Sequence, residues 1–374
     1  MEAHMKAVLT TGLAVLSIIF AVTFAEAGYR VSREVRLEAC RSMAFAGSSL
    51  SEQDAKDLEA QLRKNPADTD SRAQLIGYYS HRAVGAGRHA PVEEWIGHLT
   101  WLVKNQPEAD ILGVDSPRFS RYQSPGNWDR LKELWLDAIR KHRNDARVLG
   151  NAAGYLSADN PKLAAELLER AVSLDPDDPY WHKRLASAYE SLARRAQPDE
   201  KKPLWEKTIA ELEKAFQLQR GHRKQFLLND IAEAAFEAGD TTKARDRATE
   251  VLTAEASGAT SYFRYKAEIV LARTALASGD KAGMREYMKK ACLDAADPAV
   301  HAGMPSIELI QEMLAHGDTD DALAYLRLCE TAWPESVEKI RNMAGLVKQG
   351  RTPSITDWYS FDVKPSAPST TTSQ

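Results

Sequence analysis

Three of the nine histidines, His81, His89 and His98, lie close together in the sequence. Three imidazoles on converging elements, joined by a further donor, would suit a transition-metal ion such as zinc. His81 and His89 flank the glycine-rich stretch GAGRH, however, and histidines in such a place are more often ordinary residues of a surface loop. We therefore predict no metal site and no cofactor.

Carboxylates are numerous, with 53 aspartates and glutamates along the chain. Two acids with one raised pKa could cleave a glycosidic bond. Exposed charge on amphipathic helices explains most such residues, and the sequence singles out no glutamate as buried. The motifs HExxH and GxSxG, a Walker loop and a strand-linked GxGxxG do not occur in the sequence. We predict no catalytic residues.

Aromatic residues are concentrated between positions 78 and 135. They could line a groove for a sugar or a peptide, or they could pack between helices as core. Their helical spacing favours the core. The residues concerned are Tyr78, Tyr79, Trp95, Trp101, Tyr122, Trp128 and Trp135.

The charge balance limits the class of partner. The 374 residues include 49 lysines and arginines against 53 acidic residues. Such a chain has no overall basic field, so we predict that nucleic acid is not its ligand.

The amino-terminal region carries an apolar run. Residues 7–25 contain no charge, and AEA at 25–27 precedes a potential cleavage point before Gly28. This pattern is typical of a secretory signal peptide, although the run is also long enough to span a bilayer. We predict an exported protein, periplasmic or secreted, which is either released or anchored to the membrane by an uncleaved segment. Arginines after the run leave open a membrane-anchored protein that faces the cytoplasm.

Helices in the second half are joined by Gly-Asp pairs at 239–240, 279–280 and 317–318, about 40 residues apart. Glycine adopts the left-handed conformation that commonly ends a helix. Aspartate can then accept hydrogen bonds from the amides that open the next helix. Tight joints of this kind make consecutive helices antiparallel, and their recurrence predicts stacked helical hairpins.

The clearest hairpin lies at 148–176, where small residues let two helices approach closely and larger ones fill the space between them. The pattern consists of Ala152, Tyr155, Ala164, Leu168, Ala171 and Pro176. It resembles the tetratricopeptide repeat (TPR) family, although Asn151 stands where the family prefers leucine. The resemblance implies an all-α fold, a right-handed superhelical solenoid of stacked TPR-like hairpins.

The same pattern continues along the chain. The next first helix carries Leu185, Ala186 and Tyr189, and its partner helix is delayed by the stretch 193–202. The Gly-Asp units add further small residues, among them Ala244 and Ala322. The resemblance covers roughly 51–350 and is strongest at 148–190.

These patterns divide the chain into five segments. We predict a signal peptide or membrane anchor at 1–27, a linker or weak helix at 28–50, divergent hairpins at 51–145 with an irregular insert near 108–126, a solenoid with a terminal capping helix at 146–350, and a tail at 351–374 that is disordered from about 364.

Cys292 and Cys329 fall on equivalent second helices of neighbouring predicted hairpins, while Cys40 lies near the amino terminus. Packed helix axes stand about 8–10 Å apart, whereas a disulfide needs Cα atoms within about 7 Å. We therefore interpret these two cysteines as small core residues.

In TPR-like solenoids the first helix of each hairpin faces a concave groove, so the resemblance implies a binding face there. Spacing from the packing positions places on this face Lys183, Ser187, Asn229, Glu233, Lys266, Arg273, Gln311 and Arg341. Some family members hold a terminal carboxylate with a clamp of lysine and asparagine. Lys183 and Lys266 match that clamp, but Ser187, Glu233 and Val270 do not, so we predict an extended or helical peptide instead.

Three functions remain open. The favoured one is a non-enzymatic scaffold of the cell envelope that captures a protein or peptide partner in the groove. The second is a helical-solenoid enzyme that acts on a cell-wall or polysaccharide substrate through a buried glutamate. The third is a membrane-anchored adaptor facing the cytoplasm. A desolvated carboxylate in a deep pocket would favour the enzyme, and an open groove without one would favour the scaffold.

Overall fold

The structure is a computed structural model that describes residues 32–85, 92–114, 119, 121, 124–220, 224–253, 261–297 and 304–360. These residues form seventeen α-helices and two short 3-10 helices, with no strand among them. The predicted all-α fold of TPR-like helical hairpins is confirmed. The segment 1–27 and the tail from 364 lie outside the described residues, as do His89 and Tyr122.

The chain divides into two compact units, residues 1–192 and 193–374. Unit 1 contains α1 Arg33–Ser48, α2 Glu52–Lys64, α3 Thr69–Gly85, α4 Val92–Asn105, α5 Pro125–Lys141, α6 Ala146–Leu156, α7 Pro161–Leu174 and most of α8 Pro179–Arg195.

Helix α1 occupies most of the segment 28–50 and packs tightly on α3. Glycine makes this contact possible, because a Cβ added at Gly77 would lie 1.8 Å from the carbonyl oxygen of Ala44. On the other side of the contact, a Cβ at Gly47 would lie 2.0 Å from the carbonyl oxygen of Gln74. The two backbones therefore approach more closely than any residue with a side chain would allow.

The start of α2 follows from the sequence. Ser51 Oγ accepts a hydrogen bond from the amide of Asp54 (3.1 Å), and Asp54 Oδ2 accepts one from the amide of Ser51 (3.1 Å). This reciprocal capping box satisfies two amides that a helix otherwise leaves without partners.

Asn151, the departure from the TPR pattern, lies buried in α6 and holds α1 in place. Its Oδ1 accepts a hydrogen bond from the guanidinium of Arg33 at 2.8 Å. Its Nδ2 donates to the carbonyl of Pro107 at 2.9 Å and to that of Ala109 at 3.1 Å. A leucine could make none of these contacts, so the exceptional residue joins α1, α6 and the segment 107–109.

Arg33 itself is 2% exposed and lies against several partners. It forms an ion pair with Asp110 at 3.3 Å and lies over the rings of Tyr180 and Trp181 in α8. Burial lowers the pKa of Arg33, and the nearby Tyr180 and Asp110 offset part of that effect. The amino-terminal helix is thereby fixed to α6 and α8 by one buried cation.

The insert near 108–126 contains a 3-10 helix, Asp110–Gly113, and is otherwise without helix in its described residues up to Ser124. Phe119 of this insert is buried and meets the ring of Trp95 edge to face, with centroids 5.4 Å apart. The insert thus contributes an aromatic side chain to the core of unit 1.

Unit 2 contains the end of α8 and nine further helices. They are α9 Pro198–Leu218, α10 Lys224–Glu237, α11 Thr241–Thr253, α12 Ser261–Ala277, α13 Lys281–Ala295, α14 Ile307–Ala315, α15 Thr319–Ala332, α16 Val337–Lys348 and α17 Ile355–Ser360, with a 3-10 helix at Pro334–Ser336.

The sequence predicted that the second helix of this hairpin begins only after the stretch 193–202, and the structure shows that this is wrong. Helix α8 continues to Arg195 and α9 already begins at Pro198, so the additional residues lengthen the two helices. Pro198 is tolerated because it stands at the first helical position, where its missing amide proton costs no hydrogen bond.

The prediction that the glycines of the Gly-Asp joints adopt the left-handed conformation is confirmed. Gly239, Gly279 and Gly317 have φ angles of 83°, 79° and 78°. At the first joint the amide of Asp240 donates to the carbonyl of Ala235 at 2.8 Å, the long hydrogen bond of a Schellman helix end. The other two joints repeat this bond.

The aspartates differ from one joint to the next. Asp240 and Asp280 accept from the amides of Lys243 and Gly283 at 3.0 Å and 2.9 Å, as helix caps. Asp318 makes no such side-chain cap and instead pairs with the ammonium of Lys281, from the neighbouring hairpin.

The residues that carry the repeat pattern lie where helices meet. Those that are buried are Ala152, Ala164, Leu168, Ala171, Leu185, Ala186, Tyr189, Ala244 and Ala322. Tyr155 is half-buried and donates to the carbonyl of Trp128, while Pro176 is exposed just after α7 ends. Small side chains at the contacts allow the helices to pack closely.

None of the seventeen described helices combines the length and the apolar character needed to cross a membrane. The apolar run 7–25 lies outside the residues that the structure describes.

Candidate functional site

The first helices of the hairpins in unit 2 are α10, α12 and α14, and each packs beside the next. Positions three, four or seven residues apart lie on one side of a helix. We call the side shared by these helices the first-helix face. It is defined by Phe226, Glu233, Glu237, Tyr262, Lys266, Arg273, Gln311 and Glu312.

Two aromatic residues form one end of the first-helix face. Phe226, at the start of α10, is 41% exposed, and Tyr262, at the start of α12, is 37% exposed. Both meet the buried ring of Phe263 edge to face, with centroid distances of 4.3 Å and 5.4 Å. Exposed aromatic rings that are held by buried neighbours keep their position, as binding anchors require.

An ion-pair network follows the aromatic residues along the face. Glu233 of α10 accepts from Arg194 at 3.0 Å and pairs with Lys266 of α12 at 3.8 Å. All three side chains keep between 30% and 44% of their surface exposed. Pairs as exposed as these contribute little to stability.

A second network, more deeply buried, lies further along. Arg273 of α12 is 5% exposed and donates to Glu312 of α14 at 2.6 Å and to Glu237 of α10 at 2.7 Å. Burial by itself would lower the pKa of Arg273, but hydrogen bonds and charge from the two glutamates outweigh it and raise that pKa. This arginine therefore ties three successive first helices together.

The other residues predicted in the groove have different surroundings. Asn229 is 2% exposed and donates to the carbonyl of Phe263 at 3.1 Å. Gln311 donates to the carbonyl of Pro353 at 2.8 Å, so the segment after α16 covers it. Arg341 lies on α16 and pairs with Glu330 at 3.0 Å.

Lys183 and Ser187 lie on α8 in unit 1 and are exposed. Ser187 Oγ donates to the carbonyl of Lys183 within the same helix at 3.1 Å. The structure thus brings together Glu233, Lys266, Arg273 and Gln311 of the predicted groove on one face, while a role of the eight residues in binding stays a prediction.

Sequence reasoning did not identify Phe226 and Tyr262. Phe226 lies three residues before Asn229, and Tyr262 lies four residues before Lys266. Extending the spacing one helical turn towards the start of each helix would have found both.

A buried carboxylate is present on α12. Glu268 is 1% exposed, and burial together with the adjacent carboxylate of Asp294 raises its pKa to about 8. Arg264, which pairs with Asp294 at 3.0 Å, reduces the shift. Nothing in the sequence marks this residue as the buried acid, because its position in α12 looks like that of many exposed glutamates.

The predicted core role of the aromatic cluster in unit 1 is confirmed for its buried members. Trp95, Trp128 and Trp135 are at most 4% exposed, and Tyr78 is 6% exposed. A small apolar cavity lies beside them. It is lined by Leu99, Val103, Ile111, Leu112, Val114, Phe119, Leu131, Trp135 and Tyr155, with no carboxylate among them.

His98 lies in the core of unit 1. It is 7% exposed, with Nε2 at 3.0 Å from Glu59 and Nδ1 at 3.1 Å from the guanidinium of Arg72. Tyr79 donates to the same glutamate at 3.0 Å. Within the part of the chain that the structure describes, no group of three or more metal-ligating side chains comes together.

No family model matches this chain, and no curated protein matches it. Among solved structures, a human IFIT1 dimer with PPP-AAAA is 14% identical, with 97% of this chain and 81% of that one covered and a TM-score of 0.46. Yeast Tom70 is 15% identical over 88% of this chain and 62% of its own, with a TM-score of 0.39. The P58(IPK) TPR domain is 13% identical over 86% and 99%, with a TM-score of 0.22.

Proposed function

We propose that the protein is a non-enzymatic scaffold that binds a polypeptide partner on the first-helix face of unit 2. The observation that carries the proposal is the pair of exposed aromatic rings, Phe226 and Tyr262, held next to accessible charges on Glu233 and Lys266. An apolar anchor point beside charges of both signs is the usual composition of a protein-binding surface.

The face supports a polypeptide better than a nucleic acid. Its cations Lys266 and Arg273, and the adjacent Arg194 of α8, each lie against a glutamate, so they create no continuous positive surface for a phosphate backbone. A peptide can place an apolar side chain against the two rings and exchange its own charges with the neighbouring pairs.

Binding is stabilised by burial of the exposed rings on a face that is already ordered. When its side chain covers Phe226 and Tyr262, water leaves both rings and the hydrophobic effect stabilises the complex. Arg273 is buried against Glu237 and Glu312, and it keeps the three first helices at a fixed spacing before binding. A face that is already ordered loses little entropy on association.

The enzyme alternative rests on Glu268. Its raised pKa is a property that active-site acids share. The acid lies beside Asp294 in unit 2, however, whereas the apolar cavity beside Trp135 belongs to unit 1. Glu268 is not among the residues that line this cavity, which favours the scaffold.

A setting in the cell envelope is part of the same proposal, and it rests on the apolar run 7–25 and the small residues after it. Export, with cleavage or with a retained anchor, is the expected outcome. Sequencing the amino terminus of the mature protein tests cleavage. Where the run is retained, protease added to intact spheroplasts digests an exported body and leaves a cytoplasm-facing one intact.

Binding is tested by selecting a random-peptide display library on the immobilised full chain. Peptides that bind wild type are then measured against a Phe226→Ser, Tyr262→Ser double variant. We expect the double variant to weaken binding by roughly 10-fold or more, because each anchor commonly contributes more than about 1 kcal/mol.

The matched control is Phe45→Ser, which removes an aromatic ring that is 77% exposed on α1 in unit 1 and is not part of the first-helix face. It should leave binding unchanged. If the control weakens binding as much as the double variant does, or if neither variant affects any selected peptide, the first-helix face is not the binding site.

A further inference from the structure

Two buried thiols face each other between neighbouring hairpins of unit 2. Cys292 of α13 and Cys329 of α15 have their Sγ atoms 4.0 Å apart. The two residues are 6% and 0% exposed, and both are free cysteines. At this distance the sulfurs are in contact and share at most a weak S–H hydrogen bond.

The sulfur separation of 4.0 Å bears on a disulfide more directly than the expected spacing of the helix axes does. Helices α13 and α15 pack directly on each other. Ala291, next to Cys292, and Ala322, earlier on α15, are both fully buried. Side chains this small let helices approach more closely than larger ones do, so the cysteines point at one another across a short gap.

We propose that Cys292 and Cys329 are a disulfide-forming site that links the hairpin α12–α13 to the hairpin α14–α15. Bond formation brings the sulfurs from 4.0 Å to about 2.05 Å, which rotation of the two side chains and a small helix shift can supply. The two thiols lose two protons and two electrons as the S–S bond forms. A small disulfide such as oxidised glutathione accepts them and leaves as two thiols.

A metal site or a plain core role accounts for less of this geometry than a disulfide does. A structural metal site needs three or four donors, and no such group occurs among the described side chains. A role as plain small core residues would be met by alanine, which fills the neighbouring positions, and it does not require two sulfurs in contact.

Burial sets the conditions under which the pair reacts. The thiol of Cys329 has a raised pKa because it is buried and because Cys292 lies beside it. Thiolate is the attacking species, so the folded protein reacts slowly unless the contact between α13 and α15 opens. Equilibrium is therefore best approached by refolding both the reduced and the oxidised chain in the same glutathione buffer.

The experiment uses the full chain with Cys40→Ala, so that only the pair remains. The fraction oxidised is read from intact mass as the loss of two hydrogen atoms, once under native conditions and once in denaturing guanidinium. If folding holds the thiols together, the ratio of oxidised to reduced protein at a given glutathione ratio should be at least about 10-fold higher for the native chain than for the denatured one. The reason is that proximity acts as effective concentration.

Every outcome decides the proposal. Stronger oxidation of the native chain, with unchanged circular dichroism and a higher Tm, supports it, because the bond then stabilises the fold by the same factor. Equal or weaker oxidation of the native chain overturns it, as does a product that is only a mixed disulfide or a linked dimer. The matched variant Cys40→Ala, Cys292→Ala should show no loss of two hydrogens.

Discussion

Single residues in this chain hold partners that their positions in the sequence do not reveal. Asn151 is the best example, because it departs from the TPR pattern and is also the residue that receives Arg33. Its amide contacts the backbone at Pro107 and Ala109, so it fixes the start of the irregular insert at the same time. A departure from a family pattern therefore marks the point at which an additional element is attached.

Placing at position 151 the leucine that the TPR pattern prefers should destabilise the protein. Asn151→Leu removes the acceptor of Arg33 and leaves a buried guanidinium with fewer partners, which should lower the free energy of unfolding by roughly 2–4 kcal/mol. Urea unfolding followed by circular dichroism measures the loss. The double variant Arg33→Met, Asn151→Leu also removes the buried guanidinium and should recover most of it. A leucine variant as stable as wild type would show that the Asn151 contacts contribute nothing.

The raised pKa of Glu268 predicts how the free energy of unfolding changes with pH. Its pKa is about 8 in the folded protein against an ordinary value of 4.5, so the folded state binds more protons between these pH values. The free energy of unfolding should therefore fall as pH rises from about 4.5 to about 8, and level off above that.

The variant Glu268→Gln removes this dependence, because a glutamine stays neutral. Its stability relative to wild type should rise by roughly 2 kcal/mol or more between pH 5 and pH 9. Urea unfolding at the two pH values measures the change. A constant difference between variant and wild type would mean that Glu268 is charged in the fold at both.

At the scale of helices, the sequence predicted the backbone of the joints between helices but not the side-chain contacts between hairpins. The Gly-Asp pairs correctly indicated left-handed glycines, because only the local backbone decides that conformation. The role of Asp318 was not predictable, since its partner Lys281 belongs to another hairpin. Likewise, proline at 198 looked like part of a loop but opens α9.

The joints give a prediction with a matched control. Gly279→Ala places a Cβ on a residue whose φ is 79°, which should cost about 1 kcal/mol of stability. Gly345→Ala lies inside α16, with open space around an added Cβ, and it should instead stabilise by up to about 1 kcal/mol. Thermal unfolding of both variants compares them. Two changes of the same sign would contradict the assignment of Gly279 as a helix end.

The candidate site shows the same difference between local pattern, which the sequence predicted, and contacts between hairpins, which it did not. Spacing placed Glu233, Lys266 and Arg273 on first helices, because position along a helix follows from its period. Spacing could not tell that Arg273 is buried between two glutamates, since those contacts join residues 36 and 39 positions away. Burial depends on neighbouring hairpins, and the local pattern does not record them.

At the scale of the whole molecule, the repeat organisation has an energetic consequence. In a chain of stacked hairpins each element is stabilised by its nearest neighbours, so destabilisation is felt most where it is introduced. The cysteines report on this directly, because Cys40 lies in unit 1 while Cys292 and Cys329 lie in unit 2. Burial raises the pKa of Cys40 to about 12, and Cys292 and Cys329 are enclosed in the core, so all three thiols should react rapidly only after local unfolding.

Thiol labelling across a urea series should therefore separate the two units. Asn151→Leu should lower the urea concentration at which Cys40 reacts and leave Cys292 and Cys329 nearly unchanged, because the lost contacts belong to unit 1. Gly279→Ala should do the reverse, since it breaks a joint between α12 and α13. Mass spectrometry of labelled peptides assigns each thiol. If either variant moved all three thiols together, the chain would unfold as one cooperative body, and nearest-neighbour stabilisation would not describe it.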